Sequence, residues 1–463
     1  MSSSRCTYTL LRRIVVSMTP HPQLAIKRLA IECPYFRRNI CHSCTWLDKP
    51  YEEQLAAKQQ RASELLKPFA SANGITWAAP YASLPENFRN KVKLAVTGSI
   101  ARPKLGILTD PRTGAGADLQ ECPLPTLGIR QALPTIARFI THAKLQPYNM
   151  HTNEGVLKYV IVMESPRGEL MIRFVVRRRG AQGAIFKHYS LLKEALPALR
   201  VCSINVQPQH TAIIEGEEEI IVSPGAGAKI NPWLPMELRL DDFSPTHTLQ
   251  LAVTPKSFFQ TNTSAAEVLY RRAQDWLAGV SSAWDLYCGV GGFGLALASN
   301  PLSKSRAGRN FESESSHSEA AGMKVPGTQV TGVEVSIAAI GAARDAAQIN
   351  GVAEHTRFVA ADAYDWVCRQ ASKEPLPEAV IVNPPRRGIG KDLAAWLNES
   401  GVPNVLYSSC NAQTLARDLA NMPAYAITHA QVIDMFAHTS HFETAVLLKR
   451  VRPVLHPSRC SYR

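Results

Sequence analysis

The sequence predicts an α/β protein in three parts. A doubly wound, Rossmann-like parallel sheet occupies residues 251–450, behind an α+β central domain at 85–250 and a cysteine-rich N-terminal segment at 33–84. Three observations support this. From about residue 250, short apolar runs (WDLYC, TGVEV, TRFVA, AVIVN, NVLYSS) alternate with helical segments, the pattern of parallel strands covered by helices on both faces. Pieces at 88–100, 156–163, 170–177, 201–207 and 211–222 alternate apolar and polar side chains instead, as strands with one solvated face do. Finally, WDLYCGVGGFGLALA (284–298) reads as a strand entering a glycine-rich turn and then a helix.

A chain of 463 residues with 45% hydrophobic content can build more than one core. No apolar run approaches the roughly 18 residues that span a bilayer, so a membrane role is not expected. The 51 basic against 38 acidic residues give a formal charge of +13, which suits a polyanionic partner. Arg5, Arg12, Arg13, Lys27 and Arg28 have no acidic neighbours within residues 1–30, so +8 remains for the rest. That segment has the Arg- and Ser-containing, acid-poor character of a transit peptide, but it is read as a disordered extension (1–32), with Met18 as an alternative start. With no secretory signal, the ten cysteines read as reduced thiols and ligands, and a cytoplasmic location is expected.

After the extension come Cys33, Cys41 and Cys44, then a helical run over 51–69. Cys122 follows much later, and the four thiols suit either tetrahedral zinc or a 4Fe–4S cluster, which spacing alone does not separate. Residues 300–328 are Ser-, Gly- and charge-rich and read as a flexible insertion, because they bury too little to offset the entropy of ordering. Residues 451–463 are read as a tail.

The glycines at 289, 291, 292 and 294 would let a ligand approach the backbone closely, and Glu334, ending the next strand, is placed to hold a ribose diol. A nicotinamide dinucleotide would suit these features equally well. VNPPRRGIG (382–390) decides for a methyl donor, since an Asn-Pro-Pro loop in methyltransferases lies beside the sulfonium and the target base. Cys410 follows the next strand at the carboxyl edge, where ligands bind in such sheets, which makes it the candidate nucleophile. Glu443, near His438 and His441 and just before the last apolar strand, is the candidate base.

The set FFQTN, DLYCGVGGFG, GVE, NPPRRG, SSCN and HTSHFE, in this order, resembles the RNA 5-methyluridine methyltransferase family over roughly residues 250–450. The resemblance implies S-adenosylmethionine bound by Gln260, Tyr287, Glu334 and Asn383, with Cys410 adding to the uracil ring and Glu443 accepting the carbon 5 proton. Many members carry Asp where this chain has Asn383, so a carboxylate role is lost there and a hydrogen-bonding one remains. The cysteine spacing resembles the family's rRNA branch, which implies a 4Fe–4S cluster on Cys33, Cys41, Cys44 and Cys122 and 23S rRNA as partner, at uridine 747. FRNKVKL (88–94), PYN (147–149), LKY (157–159) and NVQP (205–208) extend the likeness into the central domain, which would bind RNA. Arg89, Lys91, Lys93, Arg177–Arg179 and Arg386–Arg387 are the candidate phosphate contacts. Two alternatives stay open: another rRNA or tRNA uridine, and a non-catalytic iron–sulfur RNA-binding or electron-transfer protein.

Overall fold

Two sheets and the strap between them carry the fold. The computed structural model describes residues 31–110, 112–210, 213–222, 232–241, 247–300, 327–371 and 373–453. Nearly all of the expected extension (1–32) and insertion (300–328), and most of the tail, lie outside the described residues.

The N-terminal segment holds a short helix α1 (Pro34–Arg37), the long helix α2 (Tyr51–Leu66) and a two-residue strand β1 (Thr76–Trp77). The central domain follows with β2 (Lys91–Gly98), β3 (Pro103–Asp110), β4 (Ala115–Asp118), α3 (Leu127–His142), β5 (Leu157–Glu164), β6 (Leu170–Val176), α4 (Gln182–Ala195), β7 (Leu199–Val206) and β8 (Glu218–Ile221). Its strands form one sheet in the order β4-β3-β2-β5-β6-β7-β8. Only β6 and β7 run parallel, because α4 crosses over between them. Helices α3 and α4 cover one face, with Ile129, Leu133, Ile136 and Ile185 packed in one core with Val160, Ile172 and Phe174.

The other face departs from the expected solvated one, since β6 is buried along its whole length. Arg173, 1% exposed, projects there and meets Glu215 at 2.6 Å and Glu219 at 2.6 Å, while Ser203 and Asn205 also donate to Glu219. The polar half of the alternation thus encodes a buried ionic network. A sequence cannot distinguish that from a wet face, because both put polar residues at every second position.

A two-stranded hairpin, β9 (Leu234–Arg239) with β10 (Thr248–Val253), leads into the C-terminal unit. There α5 (Thr263–Trp276), β11 (Ser282–Leu286), α6 (Gly292–Ala298), β12 (Gln329–Glu334), α7 (Ile337–Ile349), β13 (Thr356–Ala360), α8 (Ala363–Gln370), β14 (Ala379–Val382), α9 (Gly390–Ser400), β15 (Asn404–Ser409), α10 (Ala412–Leu419), β16 (Tyr425–Ile433) and β17 (Glu443–Arg450) follow. The sheet order is β1-β16-β17-β15-β14-β11-β12-β13, and β17 alone runs antiparallel to its neighbours β15 and β16. The chain winds outward in both directions from the β11/β14 junction, which is the topological switch point where such sheets open a crevice.

The N-terminal segment is not a separate appendage. β1 pairs in parallel with β16, Tyr81 donates its N–H to Val432 O, and α2 packs on α10 and β16. This covers a sheet edge whose backbone groups would otherwise be unpaired. Asn90 ties the two sheets together, donating its side-chain amide to Gln260 O at 3.0 Å and Thr263 Oγ1 at 2.8 Å.

Replacing Arg173 removes the ion-pair partner of the largely buried Glu219 and one of the two cations on Glu215, which keeps Lys93. Arg173→Met is expected to cost about 3 kcal/mol, read as a fall in the urea unfolding midpoint of the central domain. An unchanged midpoint would mean that the network contributes nothing.

Candidate active site

The carboxyl ends of β11, β12, β14 and β15 share one edge, and the reversal of β17 brings its first residue to that same edge. Beyond β11 the chain turns through Tyr287 (φ 65°), Gly289 (φ 54°) and Gly291 (φ 83°), left-handed values that glycine adopts without strain and tyrosine only under constraint. Gly292 opens α6 against Tyr270, where an added Cβ would sit 2.4 Å from the phenol oxygen. Glu334 closes the turn from β12, accepting the N–H groups of Gly289 (3.3 Å) and Ser336 (3.0 Å). Its carboxylate is therefore aimed before any ligand arrives.

Beneath the turn, Asp285 is fully buried and accepts the Gly294 N–H at 2.9 Å, but its other oxygen has no partner. Burial pushes its carboxyl up to about 7, against the Gly294 hydrogen bond, which lowers it. Past β14, Asn383 likewise holds a buried side-chain nitrogen with no hydrogen-bond partner. Unpaired buried polar atoms cost free energy, and Asn383, which lines the cavity, offers one that a ligand would satisfy.

Cys410 and Glu443 are brought together by register. Ser409 pairs with Thr444 across the β15/β17 ladder, so Cys410 and Glu443 flank the last pair on adjoining strands. Ser408, two residues before Cys410, donates its hydroxyl to the Glu443 carboxylate. Burial of Glu443 (2% exposed) pushes its carboxyl up to about 7, with the Ser408 hydrogen bond acting against this. Burial also pushes the Cys410 thiol up, the Glu443 charge adds to that, and the Arg386 guanidinium opposes both. Arrangements of this kind hold a base near neutrality and offer a thiol a cationic neighbour.

One cavity of about 590 Å³ is lined by all six expected residues: Gln260, Tyr287, Glu334, Asn383, Cys410 and Glu443. Its wall also includes residues that sequence reasoning missed: Phe258, Asp362 and Phe436. Asp362 caps α8 by accepting the Tyr364 and Asp365 N–H groups, and its place after the third strand of the sheet was the available signal. Phe258 is 68% exposed at the rim, an unusual cost for an aromatic side chain. The two histidines flanking Glu443 do not line the cavity. His438 is buried with Nε2 2.9 Å from Pro85 O, and His441 is exposed.

The four predicted cluster cysteines line a second cavity of about 210 Å³, together with Arg89, Ala437 and Thr439. Cys44 is pushed up to about 12 by burial, with Cys122, Cys41 and Cys33 adding to it. Among the described residues, no group of three or more His, Cys, Asp or Glu side chains is close enough to hold a single metal ion. Of the basic candidates, Arg89 thus faces this cavity, Lys93 is paired with Glu215 at 2.6 Å and Arg179 with Glu218. Burial lowers Lys91 to about 8. Arg177 lies over the Tyr148 ring, while Arg178 is exposed. Arg386 and Arg387 stand exposed on the wall of the larger cavity.

Comparison with known proteins agrees with this geometry. Residues 246–451 match the model of the tRNA (uracil-5-)-methyltransferase family. The 23S rRNA (uracil(747)-C(5))-methyltransferase of Mannheimia succiniciproducens is 38% identical over 91% of this chain and 99% of its own. That of Haemophilus influenzae is 40% identical over the same shares. Among solved structures, the Pyrococcus abyssi tRNA (uracil-54, C5)-methyltransferase bound to S-adenosyl-L-homocysteine superposes with a TM-score of 0.64 at 24% identity, covering 88% of this chain and 84% of that one, a likeness of fold. No helix among the described residues is long and apolar enough to cross a membrane. Identity at this level across nearly the whole chain, with a thiol and a buried carboxylate meeting in one cavity, places the chain in the family of RNA uracil-C5 methyltransferases.

Proposed function

We propose that this chain methylates carbon 5 of a uridine in 23S rRNA, at position 747, with S-adenosylmethionine as donor. The β15/β17 register carries the reading, because it delivers Cys410 and the buried Glu443 to the cavity that Glu334, Asn383 and the glycine turn already line. The choice of substrate rests on relatives of nearly equal length that are named for uracil 747 of 23S rRNA. S-adenosylmethionine, when bound, supplies the electrophilic methyl group. Glu334 is poised for its ribose hydroxyls, and the unpaired Asn383 amide on the cavity wall is a group that a polar ligand would satisfy.

Carbon 5 of uracil is a poor nucleophile on its own. The Cys410 thiolate adds to carbon 6 and turns the ring into an enolate, and carbon 5 then takes the methyl group while still holding its proton. Glu443 removes that proton, the carbon 5–carbon 6 double bond re-forms, and the carbon–sulfur bond breaks to return the thiolate. The Arg386 charge beside Cys410 favours the thiolate that starts and ends the cycle. The target base has to leave its stack to enter the cavity, and exposed Phe258 offers it an aromatic face at the rim.

We assign Cys33, Cys41, Cys44 and Cys122 to a 4Fe–4S cluster. The four thiols line one cavity, and their spacing resembles that of the family's rRNA branch. A cluster spreads one thiolate over each of four irons. It would staple the N-terminal segment to the turn before α3, and Cys44→Ser is expected to lose iron and acid-labile sulfide together.

Cys410→Ala should abolish methylation while leaving S-adenosylmethionine binding intact, and full activity in it would sink the mechanism. Glu443→Gln should accumulate an RNA–protein adduct stable to denaturant, because addition proceeds and proton removal does not. A base with a carboxyl near 7 is inactive when protonated, so single-turnover product release should rise with pH through about 7 and flatten above it. Mapping 5-methyluridine in the 23S rRNA of a deletion strain tests the substrate; retention of the mark at 747 would exclude it.

A further inference from the structure

The nine residues between β16 and β17 (434–442) carry more buried polarity than a surface hairpin needs. Ile433 and Glu443 are paired at its mouth, so the course of this loop fixes where Glu443 begins β17. Asp434 and His438 are both buried within it, and His438 holds a left-handed φ of 65°. Such a conformation persists only where the surroundings impose it.

Most of its polar partners come from residues 46–85, more than 350 residues away in the chain. Lys58 Nζ meets Asp434 Oδ1 at 2.7 Å, with both side chains wholly buried, and also donates to Phe436 O at 3.2 Å. Tyr51 Oη donates to Asp434 Oδ2 at 2.7 Å and accepts the Ser83 N–H. Gln54 Oε1 accepts the His438 N–H at 3.0 Å, while its amide donates to Trp46 O and Lys49 O. Trp46 N–H closes the ring onto His438 O at 2.9 Å. Helix α2 therefore holds the loop at its start and its middle, and the held loop places Phe436 and Glu443 in the wall of the methylation cavity.

We propose that Lys58 and Gln54 are positioning residues for Glu443, and that α2 is part of the proton-removal machinery without touching substrate. This rests on the reading of Glu443 as the base. A buried ion pair adds little net stability over an apolar pair of similar volume, so stability alone is a weak reason for this one. A carboxylate that must meet the carbon 5 proton tolerates little displacement, and misplacement of about 1 Å costs roughly 100-fold in rate.

The test uses the full-length holoenzyme and the double variant Lys58→Met/Asp434→Asn, which removes both charges together, beside Gln54→Met, which leaves the ion pair in place. Each is scored per molecule that binds S-adenosylmethionine. The expected result is a fall in kcat of roughly 10- to 100-fold, unchanged cofactor affinity and a stalled RNA–protein adduct like that of Glu443→Gln. Should the double variant not fold, Gln54→Met carries the same measurement. Unaltered kcat with no adduct, in variants alongside which Glu443→Gln does stall, overturns the positioning role alone. Absence of an adduct in Glu443→Gln itself overturns the base assignment and this inference with it.

Discussion

One reversed strand makes the site possible. In a wholly parallel sheet every strand presents its carboxyl end to the ligand edge, and each following residue leads away into a helix. β17 enters from the opposite direction, so its first residue lies at that edge while the rest runs down into the core between β15 and β16. Glu443 is consequently both buried and beside Cys410. A carboxylate on a crossover loop would have met water instead and kept an ordinary acidity.

The electrostatics follow from that placement. Glu443 and Asp285 are both raised to about 7 by burial. A carboxyl whose folded value lies above its unfolded one binds its proton more tightly in the native state. Its contribution to stability is therefore fully present below the ordinary carboxylate range and is lost as pH rises through about 7. These two groups thus favour the fold least in the range where they are ionised. The buried Arg173 network in the central sheet works in the opposite direction, since its guanidinium holds Glu215 down at about 2. Its stabilisation is present above the ordinary carboxylate range and fades only as pH falls towards 2.

Much of this was legible in the chain itself. The glycine turn, Glu334, Asn383 and Cys410 sit at strand ends, and in a doubly wound sheet strand ends are where ligands bind, so a one-dimensional pattern sufficed to bring them together. Glu443 was legible as a carboxylate before a final strand, although the direction of that strand was not. His438, close to Glu443 in sequence, turns inward to Pro85 and Gln54, which proximity along the chain does not report. The ionic network under β6 and the Lys58–Asp434 pair were illegible for a common reason. Each joins residues far apart in the chain, and periodicity reports only whether a side chain is polar, not whether its partner is water.

The same long-range pairing makes the site a property of the whole chain. β1 lies on β16 and α2 packs on α10, while the loop before α2 bonds to His438, so the first described segment completes the last hairpin. During synthesis residues 51–84 emerge long before their partners and must wait for β16 and β17, a non-local closure of the kind that slows folding. Within the C-terminal sheet, β11, β12 and β13 follow one another in the chain and pair in that order. The anchoring of the loop before Glu443 cannot be assembled that way. The four-cysteine cavity is walled by that loop as well, through Ala437 and Thr439. The cavity shares that loop with the contacts that hold the start of β17. The cysteine-bearing segment and the larger cavity are therefore two faces of one loop, and neither is complete until the N-terminal segment has met the last hairpin.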